Sequence, residues 1–341
     1  MENIKILITG GCGFVGTNFI PNLIKTGYNP QNIMVFDNLS HGSYLDEIHS
    51  NVLFSKTDIR NKVEMEDVLN FFSFKPDIIF HFAGLVSIYD CNNDPKEAYD
   101  NNLMGSINIF NLALKYNAKV IFSETSAVYE NVDLPENGYT EDTEDPTTVY
   151  ACSKDAVATL AKSYARLNSN FKYTALRYFN VVGKLQDWKR TIPPVACGFA
   201  FRIMNDKAPI IFGDGSRRRD FIHVDDINKF HLICMTDKRT DNETFNLGRG
   251  ESISLFELNE LISSVLEVDT IEPIMMEQIN GEAHTIFANI DKAKSLGWEP
   301  KMNLFDMHKD LIEYFKILKA KNIIPKNFMD DIDLKSVKIG K

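Results

Sequence analysis

Tyr150 and Lys154, in the run Tyr150-Ala151-Cys152-Ser153-Lys154, carry a phenol and an ammonium four residues apart. On a helix that spacing stands both side chains on one face, where the cation can lower the phenol's pKa. A phenol near pKa 10 is mostly protonated at neutral pH, so it serves as a proton acceptor only when cations tune it. The pair therefore reads as a device for making a base. A second segment, Thr125-Ser126-Ala127-Val128-Tyr129, is read with it. Both matter most if a nicotinamide cofactor lies beside them.

The N-terminal residues supply that expectation. Thr9-Gly10-Gly11-Cys12-Gly13-Phe14-Val15-Gly16 follows the apolar run Ile4-Lys5-Ile6-Leu7-Ile8 and precedes Asn18 to Thr26, which has helical spacing. Glycines between a strand and a helix permit a tight turn and let backbone N–H groups approach a pyrophosphate at the positive helix end. Asp37 closes the next strand candidate about twenty residues on, where a carboxylate accepts both hydroxyls of an adenosine ribose and repels a 2′-phosphate. That favours NAD over NADP. Pro21 falls inside the proposed helix, where a proline costs about 3 kcal/mol, so a kink or a shortened helix is expected.

Further buried strands are expected at Ile33 to Phe36, Val52 to Ser55, Ile78 to Phe82, Val120 to Ser123 and Tyr173 to Tyr178, with helices between most of them. Alternation of this kind implies an α/β protein with a parallel sheet and right-handed crossovers. Beyond Asn180 the pattern loosens into turn-rich sequence, with helix candidates at Val195 to Met204 and Leu255 to Leu266. A smaller lobe is expected there, and from about Lys321 a loosely attached tail.

The 341 residues suit one large domain or two fused lobes. A net charge of −10 argues against nucleic acid or an anionic membrane surface as the main partner. Five scattered cysteines have no metal-ligand spacing and read as reduced thiols. The chain enters a strand at once without a signal peptide, and no apolar run approaches the ~18 residues of a membrane span. A cytoplasmic protein without a metal is expected.

From Ile4 to about Tyr314 the chain resembles the extended short-chain dehydrogenase/reductase family, in particular its nucleotide-sugar epimerases and dehydratases. The resemblance rests on the glycine motif, Asp58-Ile59-Arg60, His81-Phe82-Ala83-Gly84, Tyr99-Asp100-Asn101-Asn102 and the Tyr150/Lys154 motif. It continues through Arg177-Tyr178-Phe179-Asn180, Gly213-Asp214-Gly215-Ser216 and Arg219-Asp220-Phe221-Ile222-His223-Val224-Asp225-Asp226. It implies a Rossmann-type doubly wound parallel sheet with a smaller α+β C-terminal substrate-binding lobe. The implied division is 1–180 with 219–248 for NAD, 181–218 with 249–322 for a nucleotide sugar, and 323–341 as the tail.

On the same resemblance, Tyr150 would be the base, Lys154 would lower its pKa and hold the nicotinamide ribose, and Thr125 would hydrogen-bond the reacting oxygen. NAD would be held by Gly10, Gly13, Phe14, Val15, Gly16, Asp37, Asn38, Asp58, Ile59, Phe82, Ala83, Gly84, Asn102, Tyr150, Lys154 and Tyr178. The substrate, a nucleoside-diphosphate sugar, would meet Val86, Ser126, Asn180 and Arg219, with Arg217 and Arg218 more solvated. The helices near Ala98 to Tyr116 and Tyr150 to Leu167 would pair two copies into a homodimer.

Dehydratases of the family place Asp-Glu directly after the threonine, because eliminating water needs a further acid and base. Here those positions are Ser126 and Ala127, which cannot do that chemistry, so a 4-epimerase acting on an NDP-hexose is favoured. The same triad would also serve a C4 dehydrogenase or keto-reductase, or an epimerase acting at another carbon. An NAD-binding regulator without turnover is the alternative of a different class. Glu130, where the family usually has Gly, together with Val182-Gly183-Lys184, Thr285 and Val86, departs from the pattern and leaves nucleotide and sugar open. His223, Cys12 and Cys152 are expected to pack or to bond locally.

Overall fold

The computed structural model describes residues 3–40, 44–190, 192–277 and 284–324. Seven parallel strands form the main sheet: β1 (Ile6–Thr9), β2 (Ile33–Asp37), β3 (Leu53–Lys56), β4 (Ile78–His81), β5 (Lys119–Thr125), β6 (Lys172–Tyr178) and β7 (Glu243–Leu247). Their spatial order is β7-β6-β5-β4-β1-β2-β3, with the direction of winding reversing at β1 and β4. The central strands read as continuous apolar runs because both of their faces are covered. All four residues of β1 and of β4 are buried.

Side chains alternate across the sheet and so build two separate cores. Ile6, Ile8 and Val35 point to one face, where α1 (Phe14–Lys25) supplies Phe19, Ile20 and Leu23, and α6 (Val224–Thr236) supplies Ile227 and Phe230. Leu7, Met34 and Phe36 point to the other, against α2 (Lys62–Phe71), α3 (Gly105–Tyr116) and α4 (Val149–Leu167). A third core lies in the smaller lobe, where α5 (Val195–Ile203), α7 (Leu255–Leu266) and α8 (Leu304–Ala320) pack together. Short strand pairs join the lobes: Asn180–Val182 runs parallel to Phe221–His223, and Arg218–Arg219 lies between Ile253–Ser254 and Thr285–Ile286.

The six strands expected from sequence are present with ends shifted by a few residues, and α7 has the expected bounds. The seventh strand was not foreseen. Helix α1 starts at Phe14, earlier than expected, and runs without interruption through Pro21 to Lys25. Pro21 faces solvent while Phe19, Ile20 and Leu23 seat the helix on the sheet, so tertiary packing overrides the local cost.

Residues Ile286, Ala288, Ile290, Ala293 and Trp298, placed by resemblance in the smaller lobe, pack instead into the first core. Trp298 Nε1 donates to the Asp226 carbonyl at 2.9 Å. Of the expected tail, Ile323 is exposed and Ile324 packs into the third core; residues 325–341 lie outside the described residues.

Candidate active site

The glycine turn is shaped by close approaches. Gly10 has φ +65°, and a Cβ there would stand 2.6 Å from the Ala83 nitrogen. A Cβ on Gly16 would stand 2.5 Å from Gly11 Cα, so the first turn of α1 rests directly on the loop. Gly13 precedes α1 in extended conformation, leaving the helix N-terminus open for an anion. Asp37 ends β2; its Oδ2 accepts from Cys12 N (3.0 Å) and its Oδ1 from Leu39 N (2.9 Å). Burial pushes its carboxyl above the ordinary range, and the two N–H donors counter that in part.

Beneath the turn, Thr9 Oγ1 and His81 Nδ1 are 2.7 Å apart, and His81 Nε2 and Ser106 Oγ are 2.9 Å apart. Burial pushes His81 down to about 3, so it acts as a neutral strut. Asn102 is buried behind the loop, away from the cleft wall. It accepts from Leu85 N (2.7 Å) and donates to Leu85 O (3.0 Å) and Ser153 Oγ (2.8 Å). The residue expected to touch NAD therefore ties the Gly84–Leu85 loop to α4.

The Thr125 side chain caps the short 3-10 turn Ser126–Tyr129, accepting from Ala127 N at 3.1 Å, and lines the cleft with the Tyr150 phenol. Helix α4 brings Tyr150 there. Thr148 is its N-cap, accepting from Ala151 N at 3.2 Å, and Glu130 grips Thr147 and Thr148 in turn. Burial raises the Tyr150 pKa, while the Thr125 hydrogen bond and the Arg190 charge lower it. Lys154 lies one turn on, its Nζ 3.4 Å from Ser123 Oγ, and burial pushes its ammonium down to about 8 against the pull of Glu124. By resemblance Lys154 would lower the phenol's pKa; Thr125 and Arg190 pull it down as well.

These residues face a cleft of about 470 Å³ between the lobes. Gly10, Gly13, Phe14, Val15, Asp37, Asn38, Ile59, Phe82, Ala83, Gly84 and Tyr178 line it, as do Thr125 and Tyr150. Gly16 and Lys154 stand behind the wall, as does Asp58. Asp58 is bonded to Asn38 Nδ2 (3.0 Å) and held down to about 2 chiefly by its hydrogen bond to Arg60.

Toward the smaller lobe the lining includes Val86, Ser126, Asn180 and Arg219. Asn180 Nδ2 donates to Asp220 O (3.1 Å), and Arg219 Nη1 donates to Arg218 O (3.0 Å). Arg217, expected in solvent, is 3% exposed. Arg218 is half-buried against Ser252 and Glu257. His223 is buried; it caps α6 by accepting from Asp225 N and meets Asp310 at 3.2 Å. Among the lining residues that sequence reasoning did not single out as site residues are Glu124, Glu130, Gln186, Asp187 and Arg190. Glu130 had left a signal, as a departure from the family's glycine.

A cradle that a Cβ would fill, a ribose-ready carboxylate and a helix N-terminus together fit NAD. Comparison with known proteins agrees. The pea bifunctional UDP-glucose 4-epimerase and UDP-xylose 4-epimerase 1 is 30% identical, over 90% of this chain and 94% of its own. The crystal structure of UDP-glucose 4-epimerase from Thermotoga maritima with UDP-glucose superposes with a TM-score of 0.86 at 31% identity, covering 93% of this chain and all of that one. UDP-N-acetylglucosamine 4-epimerase from Methanobrevibacter ruminantium, bound to UDP-N-acetylmuramic acid, gives 0.83 at 29%, covering 93% and 99%. The family model for NAD dependent epimerase/dehydratases matches residues 6–248. This chain belongs to the NAD-dependent epimerase/dehydratase family.

Proposed function

We propose that the protein is an NAD-dependent 4-epimerase of a nucleoside-diphosphate hexose, with a UDP-hexose as the first candidate. The observation that carries this is Thr125 and Tyr150 lining one cleft with Lys154 one helical turn away, and Ser126 and Ala127 after Thr125, which offer no acid or base for elimination. Likeness to epimerases acting on UDP-sugars supports it.

When bound, NAD supplies a reversible acceptor for one hydride. Gly10, Gly13 and the α1 N-terminus would hold its pyrophosphate, and Asp37 its adenosine ribose. Thr125 orients the C4 hydroxyl, and Tyr150 Oη takes its proton as the carbon is oxidised to the ketone. Lys154, buried one helical turn from Tyr150, would hold the nicotinamide ribose and add positive charge on the side of the phenol. After the keto sugar has turned its other face, Tyr150 returns the proton to the C4 oxygen and the alcohol is inverted. Asn180 and Arg219 hold the substrate's diphosphate end.

In this reading residues 1–180 and 219–248 hold NAD, braced by 286–298, while 181–218 and the rest of 249–322 hold the nucleotide sugar. The protein works in the cytoplasm as a homodimer through α3 and α4, whose exposed Leu167 and neighbouring Met104 would be covered. No helix among the described residues is long and apolar enough to cross a membrane.

The test is incubation of NAD-loaded protein with UDP-, GDP-, CDP- and dTDP-hexoses while anomeric signals are followed by NMR. One sugar should equilibrate with its C4 epimer without net NADH, and Tyr150→Phe should slow it by about 10²- to 10⁴-fold. No change in any sugar with NAD bound would sink the proposal, and stoichiometric NADH would make the protein a dehydrogenase.

A further inference from the structure

Beyond its pull on the Tyr150 phenol, Arg190 is a cation in the cleft to which the reaction above gives no ligand. Among the described residues, the cationic side chains on the lining are Arg190 and Arg219, facing four carboxylates: Asp37, Glu124, Glu130 and Asp187. NAD and a nucleoside-diphosphate sugar would together bring two diphosphates into this acidic surface, and each needs fixed positive charge. Arg219 belongs to the small sheet of the substrate lobe. Arg190 belongs to the loop after Val182, and that loop is fastened to the cofactor side.

Two contacts fasten it, and a third fixes Tyr44, which makes one of them. Asn18 Nδ2, in the second turn of α1, donates to the Lys184 carbonyl at 3.0 Å. Tyr44 donates its N–H to the Cys12 carbonyl inside the glycine turn (2.7 Å) and its hydroxyl to the Gln186 carbonyl (3.2 Å). Tyr44 is thus a post between the glycine turn and this loop. Arg190 bears electrostatically both on Tyr44, at that post, and on Tyr150, at the reacting end. It lines the same cleft as Gly10, Gly13 and Phe14 of the glycine turn, on the loop that Asn18 and Tyr44 fasten to that turn. Asp187 Oδ2 takes Arg190 Nε at 2.9 Å, which orients the guanidinium and leaves the edge carrying the terminal amino groups for a second anion.

We propose that Arg190 clamps the pyrophosphate of NAD from the side opposite the glycine turn, with Asp187 as its positioning residue. This rests on NAD being the cofactor and not on the sugar reaction. The clamp lies on a loop of the substrate lobe, so displacing that loop loosens the cofactor.

The test measures binding, without turnover. Wild type, Arg190→Ala, Arg190→Lys and Asp187→Asn are stripped of nucleotide, checked for folding by circular dichroism, and titrated calorimetrically with NAD, ADP-ribose and UDP. Arg190→Ala should weaken NAD and ADP-ribose alike by about tenfold or more, the loss expected on removing a charge-assisted pair, with UDP within about twofold. Arg190→Lys should recover part of the loss, and Asp187→Asn should show a smaller loss of the same pattern. These two variants carry the test if the alanine variant does not fold. NAD affinity within twofold of wild type, a loss confined to UDP, or a loss for NAD without one for ADP-ribose would each overturn the assignment, as would a wild type that binds no NAD. Failure to epimerise any sugar, with the NAD and ADP-ribose losses intact, would overturn the sugar reading alone.

Discussion

Replacing Glu130 with alanine probes how α4, the helix that carries Tyr150, is aimed. Its Oε2 accepts from Thr147 N (3.0 Å), Thr147 Oγ1 (2.8 Å) and Thr148 N (2.8 Å), and its Oε1 from Thr148 Oγ1 (2.9 Å). Thr147 is exposed, so water replaces its two bonds at little cost; Thr148 is 6% exposed, so its N–H loses its partner in a dry place. An unsatisfied buried donor costs about 1–3 kcal/mol, and losing an anion at a helix N-terminus adds about 0.3–1 kcal/mol. The sum is about 1–4 kcal/mol, which in a chain of 341 residues lowers Tm by roughly 1–2 °C per kcal/mol. Tyr150 is two residues past Thr148, so a tilt of the first turn moves the phenol from Thr125. A displacement near 1 Å can cost about a hundredfold in rate, and kcat should fall between tenfold and that limit. Glu130→Gln keeps an acceptor without the charge and should lie between. Urea denaturation and NMR-monitored epimerisation read the two effects. If Glu130→Ala stays within twofold in kcat and within about 0.5 kcal/mol in stability, the carboxylate is not what aims the helix.

Two other perturbations test the buried charges. Arg177 and Glu124 are both fully buried, with Nε and Oε2 2.5 Å apart, and Arg177 also donates to Tyr129 Oη at 2.8 Å. Arg177→Leu strands a buried carboxylate and should cost about 3–5 kcal/mol by chemical denaturation, while the double variant with Glu124→Gln should cost less. A single variant as stable as wild type would remove the pair from the account. For Lys154, burial places the folded-state value at about 8, below the usual lysine value. Between those two values the unfolded chain binds one more proton, so this group's contribution to stability rises with pH from about 8 to about 10.5 and is flat below. Nucleotide-free wild type should therefore gain on Lys154→Met across that window in urea titrations at pH 8, 9 and 10. A constant difference would contradict the burial of a free ammonium.

The glycine turn before α1, Asp37 at the end of β2, and Tyr150 and Lys154 on one helix were legible as placements because each depends on local spacing. Strand β7 was not. Thr244 and Asn246 are buried polar residues that interrupt its apolar run, and Asn246 is at home there only because Tyr139 O and Tyr129 Oη complete its hydrogen bonds from far along the chain. Pro21 misled for a similar reason: the local cost was visible, the packing that offsets it was not. Asn102 was recognisable as a motif member, yet its task beneath the Gly84–Leu85 loop depends on Ser153, 51 residues later. Arg190 carries no local signal. Only Asn18 and Tyr44, anchored near the glycine turn, bring its loop to the cofactor.

The late arrival of β7 also settles how this chain can be cut. Strand β6 pairs with β7 along Thr174 to Tyr178, and Phe245 of β7 meets Phe230 of α6 at 5.1 Å between ring centres. A fragment ending near residue 180 would keep the glycine turn and the triad but leave β6 as a bare sheet edge, and Phe19 and Phe80 without the helix that roofs them. Such an edge invites pairing between chains. For anyone borrowing the half built on the seven-stranded sheet as a module, the smallest intact part reaches at least to Leu247, and its linker is the smaller lobe itself.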